Sequence, residues 1–144
     1  MTKNKQYTIH FISKTKKRAT KFIEEELKKH GINDLAHSHG SILSVLYKED
    51  NGLMMKDIAN LIGKNKSTVT ELVNKLLKLG YIKKEKSQTD KRVTLISLTE
   101  KGKSIRDTFD TISQNLVKTA YQGFTNEEEE TFLRLLKKLY TNFD

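Results

Sequence analysis

Between Gly63 and Gly80 the apolar residues Val69, Leu72, Val73, Leu76 and Leu77 fall at i, i+3, i+4, i+7 and i+8, and directly after Gly80 that period is lost. Such spacing places one apolar stripe on a helix of 3.6 residues per turn, so the segment must bury one side and leave the other to solvent. The outer side carries Ser67, Thr70, Glu71, Asn74 and Lys78. Asn65 stands where its side-chain oxygen can satisfy the free amide of Ser67 or Thr68, and glycine is the usual stop at the other end. Residues 81–86 and 92–98 are β-branched or aromatic runs separated by Ser87-Gln88-Thr89-Asp90-Lys91, the pattern of a hairpin. Upstream, residues 55–62 form a short amphipathic helix with Ile58, Ala59 and Ile62 inward and Gly63 as its stop.

The flanks are helical. Ile9, Ile12, Ala19, Phe22, Ile23 and Leu27 predict a long first helix over about residues 5–30. A second helix starts near Ser38, taken as its cap, with Ile42, Leu43, Leu46 and Tyr47 as its stripe and Glu49-Asp50-Asn51-Gly52 as the turn after it. Thr99 caps one long helix running from Glu100 to near Gly123, and Glu127 to Glu130 suit the positive end of a last helix carrying Phe132, Leu133, Leu135, Leu136, Leu139, Tyr140 and Phe143. The expected fold class is mainly α with a small β-hairpin wing. All 144 residues form one domain, a winged helix-turn-helix lobe over about 36–98 between helical extensions at about 5–30 and 100–143.

A formal charge of +9 implies a polyanionic partner, and its distribution matters more than its size. Residues 64–92 hold nine basic and three acidic side chains, whereas residues 125–144 hold five acids against three bases. With no cysteine, disulfides and thiol chemistry are excluded. No apolar run approaches a membrane span and the first twenty residues are interrupted by Lys14, Lys16, Lys17 and Arg18, so a cytoplasmic protein is expected. There is no glycine-rich phosphate loop and no nucleophile–histidine arrangement, which argues against an enzyme, and no cofactor is implied. His37 and His39 could be joined by His10 or His30 on a metal, but two histidines at i, i+2 do not converge on one face, and no metal site is assigned.

Short helix, three-residue turn, second helix and basic hairpin is the order that a winged helix-turn-helix requires. Its second helix enters the major groove of duplex DNA with short polar side chains at the N-terminal end. Lys64, Asn65, Lys66, Ser67, Thr68 and Thr70 meet that description, with Glu71 and Asn74 further along the same side, and Lys86, Lys91 and Arg92 sit at the wing tip. Lys75, Lys78, Lys83 and Lys84 read equally as phosphate contacts and as solubilising charge.

The stretch LIGKNKSTVTELVNKLLKLGYIKKEKSQTDKRVTLISLTEKGK resembles the signature of the MarR family of bacterial regulators, most specifically in Asp90-Lys91-Arg92, which is similar to the family's D-x-R wing motif. The resemblance implies that Asp90 orients Arg92 toward a minor groove. It implies a homodimer interlocked through the first, fifth and sixth helices, and a ligand-responsive repressor acting on a pseudo-palindromic operator. It also suggests a small-molecule effector pocket that Tyr7, His10, Phe11, Tyr47 and Tyr121 could line, although those aromatics also read as packing. Met54 stands where the family usually places a Ser or Thr cap. The alternative is a non-catalytic module using its basic face on RNA, an anionic membrane or an acidic protein.

Overall fold

Residues 2–144 are described by a computed structural model, in the order α1 (Thr2–Lys5), α2 (Thr8–Lys29), α3 (His37–Leu46), α4 (Met55–Ile62), α5 (Lys66–Leu79), β1 (Ile82–Lys86), β2 (Thr94–Leu98), α6 (Glu100–Ser104), α7 (Arg106–Ala120) and α8 (Asn126–Thr141). The chain divides into a first unit reaching Ile112 and a second, Ser113–Asp144, with α7 running across the boundary. Among the described residues no helix is long and apolar enough to cross a membrane.

In the first unit, Leu27 of α2, Ile42, Leu43 and Leu46 of α3, Ile58 of α4 and Val69, Val73 and Leu76 of α5 are essentially sealed from solvent. Ile82 and Ile96 close the same core from the hairpin. The apolar stripes of α3, α4 and α5 therefore meet one another, as layered packing demands. The strands are antiparallel, with Ile82 opposite Leu98 and Lys86 opposite Thr94.

A third backbone segment joins this ribbon, which the sequence pattern did not reveal. Leu53 and Ile96 exchange both backbone hydrogen bonds, at 2.9 and 2.8 Å. The approach depends on Gly52, whose φ is +80° and whose missing Cβ would stand 2.7 Å from the Ile96 carbonyl oxygen. One residue cannot display a period, so Leu53 carries no strand signature of its own.

Three helix ends differ from expectation. Ser38 does not cap α3; Ala36 occupies that position. The backbone N–H of Ala36 donates to His39 Nδ1 at 3.0 Å, and the N–H of His37 donates to Glu24 Oε2 at 3.1 Å, so a neighbouring helix does the work assigned to a hydroxyl. The first helix is interrupted at Gln6 and Tyr7, and its long part begins at Thr8.

The single helix expected from Glu100 to near Gly123 is broken at Ile105. Thr99 does cap α6, accepting from the Gly102 N–H at 3.2 Å. The Tyr47 hydroxyl, however, donates to the Gly102 carbonyl at 2.7 Å and takes an acceptor that a continuous helix would use internally. Gly102 is packed so closely that a Cβ there would collide with the Tyr81 carbonyl oxygen.

The second unit is built differently. Thr125 and Glu128 satisfy each other's backbone amides at 3.1 and 2.9 Å and start α8 firmly. Tyr121, Phe124 and Phe132 pack edge to face with centroids 5.2 to 6.4 Å apart. Yet no residue of α8 is buried.

Candidate nucleic-acid interface

The first turn of α5 is held by Asn65, whose Oδ1 accepts from the Thr68 N–H at 2.8 Å. The cap takes one of the free amides at the helix start, and the amides ahead of it remain aligned with the positive end of the helix dipole. Lys64, Asn65, Lys66 and Ser67 are all exposed there. Along the helix Ser67, Glu71, Asn74 and Lys78 share one exposed side, directly opposite the sealed Val69, Val73 and Leu76.

Thr68 and Thr70 are half-buried, not fully outward. The Thr70 hydroxyl donates to the Lys66 carbonyl at 2.8 Å, so a base edge would find its lone pairs and methyl group but no free proton.

The wing tip is an ordered loop. Ser87 N–H donates to the Val93 carbonyl at 2.9 Å, and Val93 N–H donates to the Asp90 carbonyl at 3.0 Å. Within it Asp90 binds Arg92 three times: Oδ1 accepts from the Arg92 backbone N–H at 3.0 Å and from Nε at 3.1 Å, and Oδ2 accepts from an Nη at 3.1 Å. This fork fixes the direction of a guanidinium whose side chain is 90% exposed. The Arg92 side chain, and then its backbone N–H, hold the Asp90 carboxyl below the usual carboxylate range, and Asp90 in turn raises the Arg92 guanidinium. Lys91 is exposed beside it, and Lys86 Nζ donates to Thr94 Oγ1 at 3.0 Å.

Of the lysines with two readings, Lys83 pairs with Glu85 at 3.7 Å, while Lys75, Lys78 and Lys84 are exposed. Lys101, which sequence spacing did not single out, has a local structural task. Its Nζ donates to the Leu79 carbonyl at 2.8 Å and lies 4.3 Å from the centre of the Tyr81 ring, securing the end of α5. Lys56 and Asn60, i and i+4 in sequence, share an exposed side of α4 that sequence spacing could have singled out.

The five residues named for an effector pocket have different surroundings within one chain. Tyr7, His10 and Phe11 are exposed, and Tyr121 belongs to the aromatic cluster of the second unit. Tyr47 is buried with its ring edge-on to Phe109 and the Arg106 guanidinium 5.7 Å from its centre. Beside it lies a cleft of about 460 Å³ walled by Glu49, Lys83, Ser97, Lys103 and Arg106. Burial drives the Tyr47 hydroxyl well above its ordinary titration range, and burial with the Asp34 hydrogen bond pushes Tyr81 up to about 12.

As for the histidines, His39 has its Nδ1 committed to Ala36, and His30 Nδ1 lies 2.8 Å from the Glu26 carbonyl. Burial, and secondarily the Lys75 charge, lower the His39 pKa against the opposing pull of Asp34.

This geometry can be set beside known proteins. Residues 21–109 match the family described as transcriptional regulator SarA/Rot. The HTH-type transcriptional regulator SarZ of Staphylococcus epidermidis is 31% identical over 106 residues, covering 73% of this chain and 70% of that one. The uncharacterized HTH-type regulator YwhA of Bacillus subtilis is 28% identical over 130 residues, covering 90% of each. Among solved structures, the S. aureus MepR–DNA complex is similar with a TM-score of 0.84 at 22% identity, covering 94% of this chain and 97% of that one. MarR regulators such as one from Methanosarcina mazei share the fold, with a TM-score of 0.79 at 20% identity over 95% of this chain and 96% of that one. The match over 89 of 144 residues places the chain in the SarA/Rot family of transcriptional regulators, on the winged helix-turn-helix fold of MarR proteins.

Proposed function

We propose that the protein is a sequence-specific duplex-DNA-binding regulator that works as a homodimer on a pseudo-palindromic operator. The observation that carries this is the pairing of a deeply anchored α5, offering Ser67, Glu71 and Asn74, with a wing whose Arg92 is already aimed by Asp90. Preorganisation removes the ordering cost of a long side chain before contact. Lys64, Asn65, Lys66, Thr68 and Thr70 meet the major groove and its edges, and Lys86, Lys91 and Arg92 meet the flanking backbone and minor groove. That MepR was solved on DNA with the same fold supports the assignment.

The homodimer rests on the exposed apolar side chains of the first and last helices. Ile9 and Ile12 are 54% and 38% exposed, and Phe132 and Leu135 47% and 48%, more than a chain acting alone gains from displaying together. In our proposal the whole chain is one working domain, the lobe at about 36–98 reading DNA and the helices at about 5–30 and 100–143 joining two copies. The recognition helices then enter successive major grooves about one helical turn, ~10 base pairs, apart. Ligand-relieved repression is the regulatory mode proposed, with the cleft beside Tyr47 and Arg106 as the receptor in this chain.

A mobility-shift titration tests the core of this. The duplex upstream of the chain's own coding region should outcompete random duplex and random RNA. Arg92→Ala should weaken binding about 10-fold with the dimer intact, the order of one lost groove contact. Equal competition by all three nucleic acids would remove sequence-specific recognition from the protein.

A further inference from the structure

The chain's first acidic residue is Glu24, and seven cations precede it. Five of those, Lys14, Lys16, Lys17, Arg18 and Lys21, fall in α2. The two halves of this helix handle charge in opposite ways. From Lys21 onward acids and bases alternate at i, i+4, as Lys21–Glu25, Glu24–Lys28 and Glu25–Lys29, the arrangement by which an exposed helix stabilises itself. Before Glu24 the same spacing joins like charges, Lys14 to Arg18 and Lys17 to Lys21. Like pairs at that spacing weaken a helix, so solubility alone would not concentrate them. Among the described residues Lys14, Lys17 and Arg18 make no ion pair, and all four side chains are exposed.

Their direction is equally specific. At about 100° per residue, Lys14, Lys17, Arg18 and Lys21 cluster on a side roughly opposite Ile9, Ile12, Ala19, Ile23 and Leu27. A partner copy seated on Ile9 and Ile12 therefore leaves the basic side open, and this step rests on the dimer proposed above. Lys16 falls within the apolar stripe and does not belong to the basic one. The stripe is about 10 Å long at 1.5 Å per residue, which runs alongside about three phosphates of one DNA strand.

We propose that Lys14, Lys17, Arg18 and Lys21 form a second phosphate-binding surface, which holds the backbone of duplex DNA separately from the recognition helix and wing. The backbone comes either from the flank of the bound operator or from a second duplex. It carries no base recognition, because the stripe offers point charges and no group suited to reading a base edge.

The test compares wild type, the quadruple variant K14Q/K17Q/R18Q/K21Q and the charge-preserving K14R/K17R/K21R. Affinity is measured against salt on a duplex of about two helical turns and on one of about six, since two half-sites occupy about two turns. Loss of about three phosphate contacts should lower the salt slope by about three, with the operator-to-random ratio kept or raised. The arginine variant should retain the wild-type slope. A fall confined to the longer duplex assigns the stripe to flanking DNA, and a fall on both lengths assigns it to the edge of the operator itself. If neither slope changes, a second labelled duplex captured by operator-immobilised wild type, but not by the quadruple variant, assigns it to a second duplex.

Unchanged slopes with unchanged capture overturn the proposal. So does a quadruple variant that keeps every DNA property but loses binding to phosphatidylglycerol vesicles, which would make the stripe a membrane contact. Failure of wild type to shift any duplex would instead strike the DNA-binding function itself, and circular dichroism with a mass measurement shows that each variant remains folded and keeps its oligomeric state.

Discussion

Among the described residues all fifteen buried apolar side chains lie between Leu27 and Ile112, and α8 contributes none, although both regions have helical stripes rich in leucine and phenylalanine. In the first unit the stripes of α3, α4 and α5 close on one another and on the hairpin. In the second, Phe132, Leu133, Leu135 and Tyr140 remain between 44% and 72% exposed. Identical periodicity thus serves two purposes. One region completes its own core, whereas the other displays apolar side chains, the feature on which the proposed homodimer rests.

The largest effect should come from placing charge on the displayed stripe. Phe132→Asp with Leu135→Asp should convert the protein to monomer by light scattering and lower operator affinity by about 100-fold or more, because two linked half-site contacts become independent. A dimer that persists would mean that α8 is covered by something other than a second copy. Next comes a matched pair of truncations. Leu76→Ala should cost about 2–5 kcal/mol in denaturant unfolding at any protein concentration, as cavities in sealed cores do. Leu133→Ala should be costly only where the dimer is populated, and a concentration-independent loss equal to that of Leu76→Ala would erase the distinction between the two regions.

Gly102→Ala ranks third. The collision with the Tyr81 carbonyl forces a shift at the junction of wing and α6, with a cost of about 1–3 kcal/mol. It should also raise exchange of the wing amides by hydrogen-exchange measurement, whereas the amides of α8 should be unaffected.

The smallest effect concerns pH. Folded His39 holds its proton less tightly than unfolded His39, so the unfolded state binds more protons as the pH falls through the ordinary histidine value near 6.5. Its contribution is fully present above that value and is lost below it. His39→Gln should flatten this part of the stability–pH curve, and a slope unchanged by the substitution would assign it to another group. Because Nδ1 must be unprotonated to accept from Ala36, the affected element is the start of α3, inside the first unit.

Much of this was legible because it is local. A stripe at 3.6 spacing, an Asn ahead of Thr68, a Thr ahead of Gly102 and the Asp90–Arg92 pair each act within a few residues, so their order along the chain carries the physics. Where structure and expectation part, a distant group intervenes at Glu24 and Tyr47, and a competing local hydrogen bond at His39 and Thr70. Glu24 and His39 supply the hydrogen bonds at the start of α3 in place of Ser38, and the Tyr47 hydroxyl binds the Gly102 carbonyl just ahead of the break at Ile105. Thr70, outward by its place on the helical wheel, turned its hydroxyl back to Lys66.

By itself, then, the order of residues determined most of the elements, the anchored side of α5, the composition of the wing tip and the placement of charge, since backbone propensity and period act over one or two turns. Tertiary structure alone decided that Leu53 joins the ribbon, that Gly102 must lack a side chain, and which apolar stripes are sealed. Those outcomes depend on what approaches from elsewhere in the chain, and no local period encodes the identity of a neighbour.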